Sequence, residues 1–378
     1  MAKPKKKTTG KKKAAGKKKA AGKKKAAGKK KAAGKKKAAG KKKATGKKKA
    51  TDKKKAAGKK KAAGKKKAAG KKKTAGKKKD KPKKATGEKA KPKKAKKSEA
   101  KKPKKKKALT RADRSDRHIL YQLSVQSPEA DIEFFTARYE ELRGRLPTVL
   151  REDFCGTAFL GSTWVTTADD RRAVGVDLDE ATLDWGRTHN LAPLTDEQRA
   201  RVDLRQANVL DGGGEPADIT CAMNFSYGVF KTRAELKRYL EVVYEHLADD
   251  GMFITELYGG TEAVVDVVDE REIEDETEAV DDFTYVWQQA DYNPITHETL
   301  CHIHFEFEDG SKIEKAFTYD WRLWTIAELR ELLYEVGFSS ARVYWEETDD
   351  DGDGTGEYRA TEKEENQESW LVYIVAGK

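Results

Sequence analysis

Near position 150 the chain reads Thr148-Val149-Leu150, then Glu152-Asp153-Phe154, then a loop of small side chains, Cys155-Gly156-Thr157-Ala158. A second apolar run, Ala173-Val174-Gly175-Val176, ends in Asp177-Leu178-Asp179, and Asp177 stands 21 residues after Gly156. A tight small-residue loop lets a ligand approach backbone N–H groups. A carboxylate about 20 residues further on accepts hydrogen bonds from ribose hydroxyls. The spacing suits a nucleoside. A dinucleotide favours GxGxxG with its pyrophosphate at a helix N-terminus, and that pattern is absent.

A second group of candidate residues lies near position 300. His302 and His304 alternate on one expected strand and so face the same side. Tyr285, Trp287, Tyr319, Trp321, Arg322 and Trp324 belong to the same region. Aromatic faces can enclose a cation, and Arg322 can hold a carboxylate. The same aromatics can equally form the region's own core, and the histidines can be exposed strand residues. No cluster of His and carboxylates has convincing metal-ligand spacing, so no metal is expected. Asp349-x-Asp351-x-Asp353-Gly354 opens like a calcium loop, but its twelfth position is Ala360 instead of Glu. A solvated acidic loop is the reading there.

The elements that position these residues follow from hydrophobic period. Residues 131–145 place Ile132, Phe135, Tyr139 and Leu142 at helical spacing. A short strand then leads into the loop at 155–158, and a helix runs on to about Asp169. Further strands are expected at 173–176, 202–207, 219–223 and 251–257, with helices from Glu180 and over 233–247. This alternation predicts an α/β domain with a doubly wound, mostly parallel sheet. The stretch 260–320 breaks it with antiparallel strands inserted after the fifth strand, placed to cover a substrate pocket. A helix at 326–337 and strands at 342–346 and 370–376 resume the domain, separated by an acidic loop over 347–369.

The order of LREDFCGTA, AVGVDLDEATLDWG, LRQANVLD, ADITCAMNFSYGVF, LADDGMFITEL and WRLWTIAELRELLYEVGF resembles the class I S-adenosylmethionine-dependent methyltransferases over about residues 113–378. The resemblance implies a Rossmann-like body, S-adenosylmethionine (SAM) as cofactor and direct methyl transfer. It implies that Glu152 or Asp153 is the acid of the first motif. Cys155, Gly156 and Thr157 form the cofactor loop, where Gly156 admits the methionine moiety. Asp177, next to Leu178, holds the ribose. Asn208 and Val209 sit beside the adenine, and Asn224 and Phe225 lie near the methyl group. His302, His304, Tyr319, Arg322 and Trp324 become candidates for acceptor binding. The sequence departs from the family's GxGxG: Phe154 and Ala158 replace two glycines, and Asn208 stands where Asp is commoner.

Residues 1–107 are of another kind. They contain 55 lysines, no arginine and four acids, a net charge of +51, largely as KKKAAG repeats from Lys11 to about Lys79. The other 271 residues carry 26 basic and 59 acidic side chains, a net charge of −33. With no aromatic residue and no Leu, Ile or Val, the first segment cannot bury enough apolar surface to offset ~1–2 kcal/mol of ordering entropy per residue. It is expected to be a disordered arm, and its composition resembles linker-histone tails. Lysine contacts phosphate without reading bases, so sequence-independent, steeply salt-dependent nucleic-acid binding is expected. Contact between the arm and the acidic body, in the same or a neighbouring chain, is another possible use of the charge.

Cys155, Cys221 and Cys301 are far apart and form no CxxC, the usage of a reducing compartment. No apolar run approaches ~18 residues, and neither a membrane span nor a secretory leader is expected. The expected location is cytoplasmic, on nucleoid or chromatin. Taken together, the sequence reads as a methyltransferase of unidentified acceptor, a small molecule first and protein lysine second, tethered to nucleic acid by its arm. The alternative is a histone-like nucleic-acid-binding protein with a non-catalytic Rossmann-like body, which the two missing loop glycines favour.

Overall fold

The computed structural model describes residues 108–275, 280–348 and 354–378. The arm at 1–107, with its expected disorder and nucleic-acid binding, lies outside the described residues, as do Asp349, Asp351 and Asp353 of the calcium-like loop. Three helices lead the body: α1 (Arg111–Arg114), α2 (Arg117–Val125) and α3 (Pro128–Arg143). The α/β alternation follows as β1 (Val149–Asp153), α4 (Phe159–Trp164), β2 (Arg172–Asp177), α5 (Glu180–Gly186), α6 (Asp196–Arg199), β3 (Val202–Gln206), β4 (Ala217–Ala222), α7 (Arg233–His246) and β5 (Leu247–Gly259). The inserted strands are β6 (Val267–Ile273), β7 (Phe283–Tyr292), β8 (Glu298–Phe307) and β9 (Lys312–Arg322). The chain closes with α8 (Ile326–Val336), β10 (Ser340–Thr348), β11 (Gly354–Thr361) and β12 (Trp370–Gly377).

The main sheet has eight strands in the order β11-β10-β12-β5-β4-β1-β2-β3. β1 to β5 are mutually parallel where they pair, whereas β12 runs antiparallel to both β5 and β10. Every residue of β1 and of β4 is buried, because helices cover both faces of the sheet. One layer packs Phe135, Tyr139 and Trp164 from α3 and α4 against Leu150 and Ile219. The other packs Leu236, Tyr239 and Leu240 of α7 with Leu329, Leu332 and Leu333 of α8. This is the expected Rossmann-like, doubly wound fold, with the antiparallel insertion after the fifth strand.

Several boundaries differ from the sequence expectation. α3 begins at Pro128, whose missing N–H costs nothing in a first turn, and stops at Gly144 in the left-handed region, φ 72°. α4 ends at Trp164, short of the expected Asp169. The region 347–369 is not simply a loop: β11 folds back on β10, pairing Val343 with Thr361 and Glu346 with Tyr358. β6, α1 and α2 are also additions to the expected set.

The four-stranded sheet runs in the order β6-β7-β8-β9, all neighbours antiparallel. Its core contains Phe283, Ile303, Phe305 and Phe307, and is completed by Leu120 of α2. α1 is pinned to the same sheet, its Arg111 and Ala112 N–H groups donating to Asp309 (2.8 Å) and Ser311 (3.0 Å). The N-terminal helices are therefore structural partners of the insertion. Leu120 is fully buried, so Leu120→Ala is expected to destabilise the full-length chain by about 2–5 kcal/mol. Urea unfolding of the two proteins checks this, and an unchanged midpoint contradicts the packing.

Candidate functional site

The strand register brings the candidate loops to one edge. Asp153, the last residue of β1, lies opposite Val176 in β2 and Ala222 in β4, and Asp177 lies opposite Gln206 in β3. The segments after all four strands thus leave from the carboxyl edge of the sheet. They flank the β1–β4 junction, where the strand order reverses and doubly wound sheets bind ligands.

The loop after β1 has an unusual backbone. Phe154, Gly156 and Ala158 have φ of 60°, 54° and 55°. The two positions that lack the family's glycines keep the left-handed conformation that glycine adopts most easily. Such strain persists only where the surroundings impose it, and here they do. The Phe154 ring packs against Tyr239 and Phe230, at centroid distances of 5.7 and 6.1 Å. The Cys155 sulfur occupies space that Gly175 leaves open, 2.9 Å from where a Cβ would stand. The Thr157 carbonyl accepts from Asn190 Nδ2 at 2.8 Å and sits 2.3 Å from an ideal Cβ on Gly186, so only glycine fits there. Gln122 of α2 donates to the Thr157 hydroxyl at 3.0 Å.

Asp177 ties the loop to β2. One carboxylate oxygen accepts from the Gly156 N–H at 2.8 Å and the other from the Asp179 N–H at 2.9 Å. The side chain is only half-buried. Beyond Gly156 there is room, since a Cβ there would meet only Thr182 Cγ2, at 3.9 Å. An open backbone approach beside a half-exposed carboxylate fits a nucleoside cofactor. Leu178 is exposed beside it. Asn208 is half-buried and its carboxamide oxygen accepts from the Leu210 N–H at 3.0 Å, while Val209 is buried in the α7-side core.

The two acids of β1 separate. Asp153 faces α7, accepting from Arg151 Nε at 2.8 Å and Tyr239 Oη at 3.0 Å. Burial pushes its carboxyl up despite Arg151. Glu152 faces α4, accepting from the Gly161 N–H at 3.3 Å, and burial with nearby carboxylates pushes it up to about 8. Asp153 is therefore committed to an internal ion pair. Of the two, Glu152 lies at the helix that follows the loop.

After β4, Asn224 and Phe225 both adopt positive φ, 53° and 59°. The Asn224 N–H donates to the buried Glu256 carboxylate at 2.8 Å. This strained turn opens onto a cavity of about 410 Å³ between the main sheet and the insertion. Trp287, Tyr319 and Trp321 of the inserted sheet wall it, with Tyr319 stacked on Trp321 at 4.3 Å. Tyr121 of α2 and Tyr258 at the end of β5 close it, and Glu262 and Asp269 bring carboxylates. Tyr121, Tyr258, Glu262 and Asp269 were missed in the sequence. For Tyr121 the available signal was the apolar helical spacing of Leu120, Tyr121 and Val125 after Asp116, which caps α2 through the His118 N–H at 2.7 Å.

Of His302, His304, Tyr319, Arg322 and Trp324, Tyr319 lines this cavity, as do Tyr285, Trp287 and Trp321 of the same aromatic group. His302 and His304 do share a face, as expected, but it is the opposite one. They alternate with Ile303, which faces the cavity, and bond to Thr318 and Gln288, each at 3.0 Å. Burial holds both imidazoles below their usual range. Arg322 is not free for a carboxylate ligand: its guanidinium donates to Glu328 at 2.8 Å and to the Lys231 carbonyl at 3.2 Å, and lies over the Trp324 ring. Trp324 itself is buried in the core. Cys155, Cys221 and Cys301 are free and buried. Among the described residues no group of three or more His, Cys, Asp and Glu could hold a metal ion, and no helix is long and apolar enough to cross a membrane.

No family model matches the sequence, and no curated protein matches it. Solved structures do. The chain is similar to DesVI from Streptomyces venezuelae, with 18% identity and a TM-score of 0.50 over 71% of this chain and 99% of that one. It is also similar to the SAM-bound amino pentose methyltransferase CalS10 from Micromonospora echinaspora, with 16% identity and a TM-score of 0.49 over 69% and 95% of the two chains. The sugar N-methyltransferase KedS8 from a Streptoalloteichus species gives 16% identity and a TM-score of 0.47 over 74% and 97%. The likeness to DesVI is one of fold.

Glu152 supplies a test of the site's electrostatics. A carboxyl held up to about 8 in the folded chain, against 4.5 ordinarily, contributes stability below pH 4.5 that is lost as the pH rises towards 8. Glu152→Gln keeps the acceptor for Gly161 and removes the titration. The variant is expected to gain stability over the parent between pH 5 and pH 8.5 in urea unfolding. A difference that does not vary with pH contradicts the assignment.

Proposed function

We propose that residues 108–378 form a SAM-dependent methyltransferase whose acceptor binds in the cavity beneath the inserted sheet. The observation that carries this reading is the loop after β1. It keeps three positive-φ positions, Phe154, Gly156 and Ala158, and is tied by the Gly156 N–H to the Asp177 carboxylate. In this reading Gly156 admits the methionine part, Asp177 accepts from the ribose hydroxyls, and Asn208, two residues past β3, lies beside the adenine. The cofactor supplies a methyl group on a sulfonium, ready for in-line displacement. This chain's contribution is alignment and exclusion of water. The turn at Asn224-Phe225 joins the cofactor edge to the acceptor cavity, and α2 touches both, through Gln122 on the loop and Tyr121 in the cavity wall.

A cavity of about 410 Å³ is of small-molecule size, which supports a small acceptor before a protein lysine. The +51 segment at 1–107 tethers the enzyme to nucleic acid in this reading and raises its local concentration there. Nucleic acid need not be the acceptor, since the body is strongly acidic and so repels phosphate. The non-catalytic alternative drew on the two missing glycines. Phe154 and Ala158 keep the backbone those glycines would supply, which removes that ground for it.

Calorimetric titration of SAM into the full-length chain tests the proposal. Saturable binding is expected, weakened at least about tenfold in Asp177→Ala, the size of one lost charged hydrogen bond. A folded parent protein that takes up no SAM overturns it.

A further inference from the structure

We infer that the cavity selects an acceptor carrying an amine and binds it as a cation; this rests on the methyltransferase reading for the reaction but not for the binding. Three features of the wall point to positive charge. The first is ring density. Trp287 lies 6.2 Å from Tyr319 and 6.3 Å from Trp321, the latter two stack at 4.3 Å, and Phe225 sits 6.2 Å from Trp321 and 4.7 Å from Tyr258. Aromatic faces present negative potential and attract ammonium groups.

The second feature is the sign of the charge. The lining includes the carboxylates Glu262 and Asp269 and, among the described residues, no Lys, Arg or His. The nearest cation on the same strand face is Arg271, two residues beyond Asp269. Its guanidinium donates to the Ser124 carbonyl and lies over the Tyr285 ring at 5.1 Å. Gln289 braces the segment that carries Glu262, donating to the Glu262 carbonyl at 2.8 Å and the Val265 carbonyl at 3.0 Å. A carboxylate or phosphate acceptor would meet like charge and negative ring faces together.

The third feature is a weakly satisfied polar group. Tyr258 lines the cavity, and its buried hydroxyl has only the Cys301 thiol beside it. A thiol is a weak partner, so the hydroxyl oxygen keeps acceptor capacity that a ligand can use. An amine N–H can donate to its oxygen.

The chemistry balances for such an acceptor. The ammonium first releases one proton to water. The nitrogen lone pair then bonds to the methyl carbon while the carbon–sulfur bond breaks, its electron pair staying on sulfur. Positive charge passes from sulfur to nitrogen, so the wall that binds the ammonium also suits the methylated product.

The test uses the full-length chain and two probes of equal shape, choline and its neutral isostere 3,3-dimethylbutan-1-ol, followed by tryptophan fluorescence with SAM titrated in parallel. Choline is expected to bind at least about tenfold tighter than the alcohol. The double variant Glu262→Gln, Asp269→Asn is expected to lose at least about fivefold for choline, with SAM affinity unchanged. Equal affinity for the two probes, or binding of neither by a protein that takes up SAM, overturns the inference alone. Preference for choline in a protein that does not take up SAM supports the cation cavity and overturns the methyltransferase reading instead.

Discussion

Everything at the carboxyl edge of the main sheet depends on how the chain turns after β1. Three residues in five sit in the left-handed region, and two of them, Phe154 and Ala158, carry side chains. Each such residue costs about 1–3 kcal/mol, so the turn survives because its surroundings leave it no alternative. A phenylalanine ring wedged beside Tyr239 fixes one end, and a fully buried alanine fixes the other. Between them the carbonyl of Thr157 is clasped by Asn190, and Gly186 comes so close that no Cβ fits. Where the resembled family has glycines, packing holds Phe154 and Ala158 in the left-handed region that glycine adopts most easily.

That turn also links the two halves of the proposed site. α2 reaches the loop through Gln122, and Leu120 seals the core of the inserted sheet. Asp116, just before α2, holds the indole N–H of Trp185 in α5 at 2.8 Å. One short helix thus contacts the cofactor loop, the helix after β2 and the roof of the cavity. Charge adds a second level of organisation. A strongly basic segment at 1–107 is joined to a strongly acidic body, and the proposed cation cavity lies in that body.

The main sheet was legible because continuous apolar runs ending in Asp or Asn have few readings other than buried parallel strands. The edge elements were not. β6 (VVDEREI) is mostly exposed, and β11 pairs along one edge only, so neither carries a strong apolar period. In the site, the loop at 155–158 and Asp177 follow from spacing, whereas Asn224 is singled out only by the resemblance to a known family. Alternation put His302 and His304 on one face, but only the packing of Ile303, Trp287 and Tyr319 decides which face meets the cavity. Arg322 looked free because its partner, Glu328, belongs to the capping box of the next helix, where one carboxylate serves Thr325 and Arg322 together. Such shared partners are set by three-dimensional proximity and leave no periodic trace.

Amide hydrogen exchange of the full-length chain, with and without saturating S-adenosylhomocysteine, tests the central claim most directly, because it reports where the nucleoside binds. The account predicts slower exchange in 154–158 and 177–182, with 224–226 affected and the outer turns of α3 unchanged. Protection confined to other regions, or none at saturation, would contradict it.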